Sequence, residues 1–264
     1  MSTGEFQEVE VAISVMAYPA ISNRQGEVVC VAGFRTDTLM QPDWVRLFPF
    51  RVRDVPPTLR VRKWDVVRLR ARRTGRDHRP ESFTPDMDSI EVVGHLDTKR
   101  NWEARRALVE PHRGRTMKQV LAEHDRSGIS LAVVETGEIL DLVVAPRPRQ
   151  ELDEARRKAE ADVAQADLFS LEDRRPLEPI PFDFHFVVQY PDESVPRRLK
   201  VIDWEINQAF RKYRASYPHP EQVVREHWMA DVCGPTRDPV FLVGNQHRFQ
   251  DQWLLLGVVW PKRV

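Results

Sequence analysis

The fold of this chain depends on the stretch from Val28 to Ser82, which reads VVCVAGFRTDTLMQPDWVRLFPFRVRDVPPTLRVRKWDVVRLRARRTGRDHRPES. It opens with a continuous apolar run, Val28–Ala32, which predicts a strand buried on both faces. A second apolar segment begins at Trp44. From Asp65 to Arg72, apolar and basic residues then alternate. This is the period of a strand with one buried and one exposed face.

The same stretch concentrates positive charge. From Arg46 to Arg79 there are twelve Arg and Lys residues and three Asp residues, a net of +9, in a chain of 264 residues whose formal net charge is +0. Charge gathered in this way predicts a basic surface that meets an anionic partner.

The order of apolar segments predicts an α+β fold in two parts. Short strands separated by turns continue to about residue 145, which favours a small barrel or sandwich over a βαβ sheet. Within this part, Ile129–Val134 and Ile139–Val144 are expected to form a strand pair. We therefore predict a basic β-barrel-like unit at 1–145, a charged helical connector at 146–175 and a smaller α+β unit at 176–264.

Several classes of protein are disfavoured by composition and pattern. No apolar run approaches the ~20 residues of a membrane-spanning helix, and residues 1–14 lack the pattern of a secretory signal. The two cysteines, Cys30 and Cys233, are far apart and are not expected to form a disulfide. We expect a cytoplasmic protein with no membrane partner.

The familiar motifs of catalysis and cofactor binding do not occur in the sequence. It contains no C-x-x-C, H-E-x-x-H, phosphate-binding P-loop, G-x-S-x-G or G-x-G-x-x-G pattern. We expect no bound metal or cofactor, and the sequence leaves open whether the protein is an enzyme.

One group of acidic residues offers a weak alternative. Asp183 and His185 share one face of a predicted strand, and Asp203 and Glu205 alternate onto one face at the end of the next predicted strand, Leu199–Trp204. If these two strands are neighbours, the four side chains could converge to hold magnesium, as in a nuclease. The competing interpretation is exposed polar residues, with Asp203 as a helix cap.

The residues expected to bind nucleic acid lie mainly in the basic stretch. Arg68, Arg70 and Arg72 alternate on one strand face, about 6.6 Å apart, which is similar to the spacing of phosphates along an extended single strand. Aromatic rings among arginines suit base stacking, although core packing is an equal alternative for both tryptophans. The predicted binding residues are Arg46, Arg68, Arg70, Arg72, Arg73, Arg79, Trp44 and Trp64.

Two short motifs add a resemblance to a known family. Cys30, Ala32 and Gly33, followed by Trp44 and Arg46, resemble the opening of an uncharacterised prokaryotic family that carries a dual OB-fold domain. The match covers roughly residues 11–50, less than a fifth of the chain. The resemblance implies small OB-like barrels, a role in binding, and a setting in prokaryotic defence or mobile elements.

The first functional hypothesis is therefore a nucleic-acid-binding module that tolerates many sequences, with single-stranded DNA or RNA favoured. A metal-dependent nuclease using the acidic group is the second. The third is a protein–protein adaptor with a partner subunit. In the adaptor, the acidic residues of the helix at Arg149–Ala166 would cover the arginines in place of phosphate.

Overall fold

The computed structural model describes residues 4–22, 26–37, 44–51, 60–73, 75, 77–166 and 175–264. Within them, thirteen strands form two sheets. The strands of the first sheet are β1 (Gln7–Met16), β2 (Ala20–Ser22), β3 (Gly26–Arg35), β4 (Trp44–Phe50), β5 (Asp65–Arg73), β6 (Ser82–Pro85) and β7 (Glu91–His95). Those of the second are β8 (Leu131–Glu135), β9 (Glu138–Pro146), β10 (Phe182–Gln189), β11 (Arg197–Val201), β12 (Val240–Asn245) and β13 (Trp253–Val259).

Five α-helices accompany the sheets: α1 (Lys99–Val109), α2 (Met117–Ser127), α3 (Arg149–Ala166), α4 (Trp204–Tyr213) and α5 (Pro220–His227). No helix in the described part of the chain is both long enough and apolar enough to span a membrane.

The first sheet closes into a five-stranded barrel. Its strands follow the order β1-β3-β4-β6-β5, and β5 pairs back onto β1. The β4–β6 pair is parallel, whereas the other pairs around the barrel are antiparallel. This is an OB-like barrel, and it confirms the predicted α+β class and the barrel-like N-terminal unit.

Alternation along each strand explains the barrel interior. Val67, Leu69 and Ala71 of β5 point inward, with 1% exposure or less. They meet inward side chains from neighbouring strands, such as Val31 of β3 and Leu47 of β4. Sheet pairing therefore turns the alternation from Asp65 to Arg72 into one packed core.

The second sheet has the order β8-β12-β13-β11-β10-β9. β8 and β9 lie at its opposite edges, so the expected strand pair between Ile129–Val134 and Ile139–Val144 is wrong. β8 instead pairs with β12, and β9 pairs with β10. β8 ends before residue 145 and β9 includes it, yet both strands belong to the second sheet. The boundary between the sheets therefore lies earlier in the chain than the predicted domain boundary at residue 145.

The two sheets share a core. Inward residues of β3 fill the barrel, while its alternate residues, Ala32 and Phe34, face outward and are fully buried. They pack with Leu131, Val133 and Leu242 of the second sheet. The outer face of β3 and β4 is therefore covered by the second sheet, which explains why Val28–Ala32 is apolar on both faces.

The predicted charged helix over Arg149–Ala166 is present as α3. It follows β9 and precedes β10, which are neighbouring strands of the second sheet. It packs on β2 and β3. Its acidic residues form ion pairs along the helix, such as Glu154 with Lys158 at 2.7 Å.

Gly33 marks the closest approach of two barrel strands. A Cβ atom at this position would lie 2.0 Å from the carbonyl oxygen of Ala12 on β1. We therefore expect Gly33→Ala to force β1 and β3 apart and to lower the free energy of unfolding by about 3 kcal/mol. Urea unfolding would measure the loss.

Gly94→Ala on β7 is the matched control, since its new Cβ would lie 3.8 Å from the nearest neighbour, Val66. We expect Gly94→Ala to change stability by less than about 1 kcal/mol. Equal losses in the two variants would contradict the close packing at Gly33.

Candidate functional site

The exposed face of β5 carries three of the predicted phosphate contacts. Glu10 of β1 lies opposite Arg68 in the strand register, and the Arg68 guanidinium lies 3.1 Å from its carboxylate. Glu91 of β7 pairs with the same arginine from the other side at 3.7 Å. The barrel therefore brings acidic residues to both flanks of the basic strand.

The next two arginines on this face also have partners. Arg70 forms an ion pair with Asp86 and remains 60% exposed. The Arg72 guanidinium lies over the ring of Phe6, 4.7 Å from its centroid. Cross-strand ion pairs reduce the charge that β5 offers to a polyanion.

Pairing of basic side chains with carboxylates extends beyond β5. Arg53 and Arg76, as well as Asp54, lie outside the described residues. At least five of the ten remaining basic residues between positions 46 and 79 have a carboxylate within 4.0 Å. Three of these five, Lys63, Arg68 and Arg70, take their partners from outside positions 46–79, so the net charge of +9 overstates the charge of the surface.

Arg46 lies inside the molecule, where it joins the two sheets. It is 2% exposed, and its guanidinium donates to the hydroxyl of Ser130 at 2.7 Å and to the carbonyl of Ser130 at 3.0 Å. Glu81 accepts from the Ser130 amide and hydroxyl. Arg46 therefore holds β8 against the barrel and does not present its charge at the surface.

Arg79 has a similar structural position. It is 8% exposed, forms an ion pair with Asp77 at 2.7 Å and donates to the carbonyl of Asn245 at 2.8 Å. Burial would raise the pKa of Asp77, but hydrogen bonds from Arg79 and its charge hold that pKa well below the usual range. The ion pair lies within the β5–β6 loop, and the hydrogen bond from Arg79 to Asn245 connects this loop to the end of β12.

The two tryptophans that were predicted to stack on bases lie in different environments. Trp64 is 3% exposed and belongs to the core shared by the two sheets, with the Arg105 guanidinium 4.9 Å from its ring centroid. Trp44 is only partly buried and packs on Phe34, with ring centroids 4.1 Å apart. Of the two, Trp44 lies where a ligand can approach.

Trp44 lines a groove of about 400 Å³ between the barrel and the second unit. We call it the rim groove, because it lies where the outer face of β3 and β4 emerges at the edge of the second sheet. Its walls come from both parts of the chain. The lining residues are Arg35, Trp44, Val45, Arg73, Pro80, Glu81, Phe83, His112, Arg115, Glu123, Ile129 and Leu131.

Three arginines converge on the rim groove. Arg73 is exposed, donates to the carbonyl of Pro80 at 2.6 Å and lies over the ring of Phe83. Arg35 and Arg115 have acidic partners, Asp37 at 2.8 Å and Glu123 at 2.7 Å. The groove thus combines cations with an aromatic wall, the chemistry that holds phosphates and bases.

One side chain in the wall of the rim groove carries a buried polar donor. The Trp44 indole nitrogen is buried and has no hydrogen-bond acceptor among the described residues. A buried donor without a partner costs free energy, so a ligand oxygen that accepted from it would gain a favourable contact.

Sequence reasoning identified Trp44 and Arg73 but missed Arg35 and Arg115. Arg35 ends a buried strand, and Arg115 precedes α2, more than forty residues beyond Arg73. No local pattern connects them, since their proximity arises only when the second unit packs on the barrel.

The proposed magnesium ligands form two separate ion pairs. Asp183 contacts Lys200 at 2.8 Å, whereas Asp203 and Glu205 contact Lys63 at 2.9 and 2.7 Å. No group of three or more His, Cys, Asp or Glu residues in the described ranges is arranged to hold a metal ion. Asp203 also caps α4 by accepting from the Glu205 amide.

His185 contacts none of the acidic ligands proposed for magnesium and instead has an arginine beside it. It contacts the guanidinium of Arg198 at 3.2 Å. Burial and the charge of Arg198 lower its pKa. The side chain is therefore placed beside a cation, which opposes binding of a metal ion.

Lys63 and Asp203 form a buried connection between the barrel and the second unit. Burial raises the pKa of Asp203 to about 6, although the nearby Lys63 charge opposes this rise. Burial would lower the pKa of Lys63, but the charges of Asp203 and Glu205 raise it. Both groups are therefore charged at neutral pH, and each depends on the other.

Lys63→Met should leave the Asp203 carboxylate buried without its cation and destabilise the protein by about 3–5 kcal/mol near neutral pH. Loss of Lys63 also raises the pKa of Asp203 further, so the folded state binds a proton that the unfolded state releases. Stability of the variant must then fall as pH rises, and its deficit should be larger at about pH 8 than at about pH 5. Thermal unfolding at both pH values measures this.

Lys99→Met is the control, because Lys99 forms an exposed pair with Asp97. Its effect should stay below about 1 kcal/mol. A Lys63→Met deficit that is equal at both pH values would argue against a buried, ionised Asp203.

Comparison with known proteins divides the chain close to the boundary between the sheets. Residues 7–111 match the model of a domain of unknown function, DUF8758, and residues 113–264 match a second domain of unknown function, DUF8757. No curated protein matches the chain. Because the second model covers more than half of the 264 residues, the chain belongs to the DUF8757 family.

Proposed function

We propose that the protein binds single-stranded nucleic acid with little sequence preference, and that the rim groove is the binding site. The observation that carries this proposal is the convergence of Arg35, Arg73 and Arg115 around Trp44. These groups come from both units, so the intact fold is needed to form the groove.

The covered barrel face supports this location. In OB-folds the face of the second and third strands, together with the adjacent loops, binds oligonucleotides. Here the corresponding strands are β3 and β4, and the second sheet packs on their outer face. The rim groove lies at the edge of that face, among the residues that the structure describes.

The size and charge of the groove favour a single strand. A volume of about 400 Å³ lies near the lower end of the range for ligand pockets, roughly 300–1,000 Å³. It suits a nucleotide-sized group. Arg73 supplies an exposed guanidinium, whereas the acidic side chains in the lining already accept from other groups: Glu81 from Ser130, and Glu123 from Arg115.

The face of β5 supports binding less well. Arg68 and Arg70 would have to exchange their carboxylate partners for phosphates, and the gain would be small in water. Arg35 and Arg115 of the rim groove face the same exchange. The groove is preferred because it adds a concave shape and the Trp44 ring. The nuclease, the adaptor and the setting in prokaryotic defence or mobile elements stay predictions.

The proposal is tested with two triple variants that remove the same charge. Arg35, Arg73 and Arg115 are changed to Gln in one, and Arg68, Arg70 and Arg72 are changed to Gln in the other. Fluorescence anisotropy with labelled single-stranded DNA and RNA homopolymers, over a range of salt concentrations, gives affinity and salt dependence. The groove variant should bind about 100-fold more weakly, with a salt slope smaller by about two to three.

The β5 variant should lose less than about threefold in affinity, because only the long-range attraction of the protein for the polyanion is weakened. The groove variant loses the same long-range attraction, so the difference between the two variants measures direct contacts in the rim groove. If it loses as much as the groove variant, the rim groove is not the site. If the unaltered protein binds neither polymer at low salt, the proposed function is wrong.

Trp44→Phe tests the indole donor separately. It keeps an aromatic ring against Phe34 and removes the N–H group together with part of the ring area. We expect affinity to fall by about three- to tenfold, with an unchanged salt slope, since no charge is lost. An unchanged affinity would exclude a hydrogen bond from Trp44 to the ligand.

A further inference from the structure

A second cavity, of about 440 Å³, lies where α3 crosses between the barrel and the second sheet. We call it the connector cavity. Residues 18–21 of the barrel form one wall, α3 forms another, and residues 177–183 with the end of β11 close the third. Cavities at the junction of structural units are common places for small-molecule sites.

The walls of the connector cavity are largely apolar. Ile21 contributes from β2, Ile180 and Phe182 from the strand that enters the second sheet, and Val201 and Ile202 from the end of β11. A ligand with an apolar body would remove these side chains from water, which is favourable in proportion to the area covered.

Charged residues occupy one side of the cavity and are mostly matched. Lys158 contacts Glu154 at 2.7 Å, and Lys200 contacts Asp183 at 2.8 Å. These two pairs leave Arg147 as the remaining cation and Glu151 as the remaining acid of the lining.

Arg147 forms two ion pairs, and both of them are long. Its guanidinium lies 3.6 Å from the carboxylate of Glu151 and 3.9 Å from that of Asp183, and it donates to the carbonyl of Ile180 at 3.4 Å. Its Nε atom is buried and has no hydrogen-bond acceptor in the described part of the chain. Glu151 is 57% exposed, so it can turn to solvent when another anion approaches.

We propose that the connector cavity binds a small organic anion that has one carboxylate-like group and an apolar body. The anionic group would lie against Arg147, whose planar guanidinium matches two carboxylate oxygens. The body would lie along Ile21, Ile180 and Phe182. One negative charge suffices, because the other two cations of the lining already have their own carboxylates.

This site is separate from the rim groove. No residue lines both cavities. A small-molecule site at the connector therefore does not depend on nucleic-acid binding, and the two proposals can fail independently.

The probe for the test is octanoate, an aliphatic carboxylate, measured by displacement of anilinonaphthalene sulfonate, a fluorescent aromatic anion. Both should bind the full chain at one shared site. Arg147→Gln should weaken octanoate binding by about tenfold or more, since a charge-assisted hydrogen bond is lost. Arg149→Gln, two residues along the chain and 95% exposed, is the matched control and should bind within about twofold of the unaltered protein.

Ala155→Phe distinguishes loss of the binding site from loss of the fold. It keeps every charge and places a ring into the cavity from α3, so it should abolish octanoate binding while the thermal unfolding midpoint stays close to that of the unaltered protein. Absence of octanoate binding to the unaltered protein would overturn the proposal. Equal weakening by Arg147→Gln and Arg149→Gln would overturn it as well, and so would binding that survives Ala155→Phe.

Discussion

The packing of the second sheet on the outer face of β3 and β4 determines most of the remaining structure. Ala32 and Phe34 are fully buried on the outside of a barrel, where most barrels of this kind meet solvent or a ligand. Covering this face removes a large apolar area from water. Because the two units share a core, separating them would expose this apolar surface.

Three buried cations at this contact form hydrogen bonds between the two units. Arg46 reaches from β4 to Ser130, Arg79 reaches from the β5–β6 loop to Asn245, and Lys63 reaches Asp203 at the start of α4. A buried cation is tolerated only when hydrogen-bond acceptors surround it. These contacts fix how the second unit sits on the barrel, and they use three of the basic residues that made the sequence look like a polyanion-binding surface.

The remaining surface charge is distributed by strand register. β5 lies between β1 and β7, which bring Glu10 and Glu91 to its edges, so the basic face is partly neutralised from within the chain. Both candidate ligand sites lie where the units meet at the periphery. There, the edges of the shared contact leave cavities lined by side chains from several elements, with polar donors that no part of the described chain satisfies.

The sequence alone determined the local structure. Alternation in Asp65–Arg72, the apolar run Val28–Ala32 and the charged helix Arg149–Ala166 were readable because each depends on periodicity within a few residues. Tertiary structure decided which strands became neighbours, so it placed β8 and β9 at opposite edges of the second sheet. It also decided which polar groups met: Glu10 with Arg68, and Ser130 with Arg46. Arg115 and Arg73 came to line the same groove. Pairing between distant residues depends on the register and packing of whole sheets, and no short pattern in a single sequence encodes it.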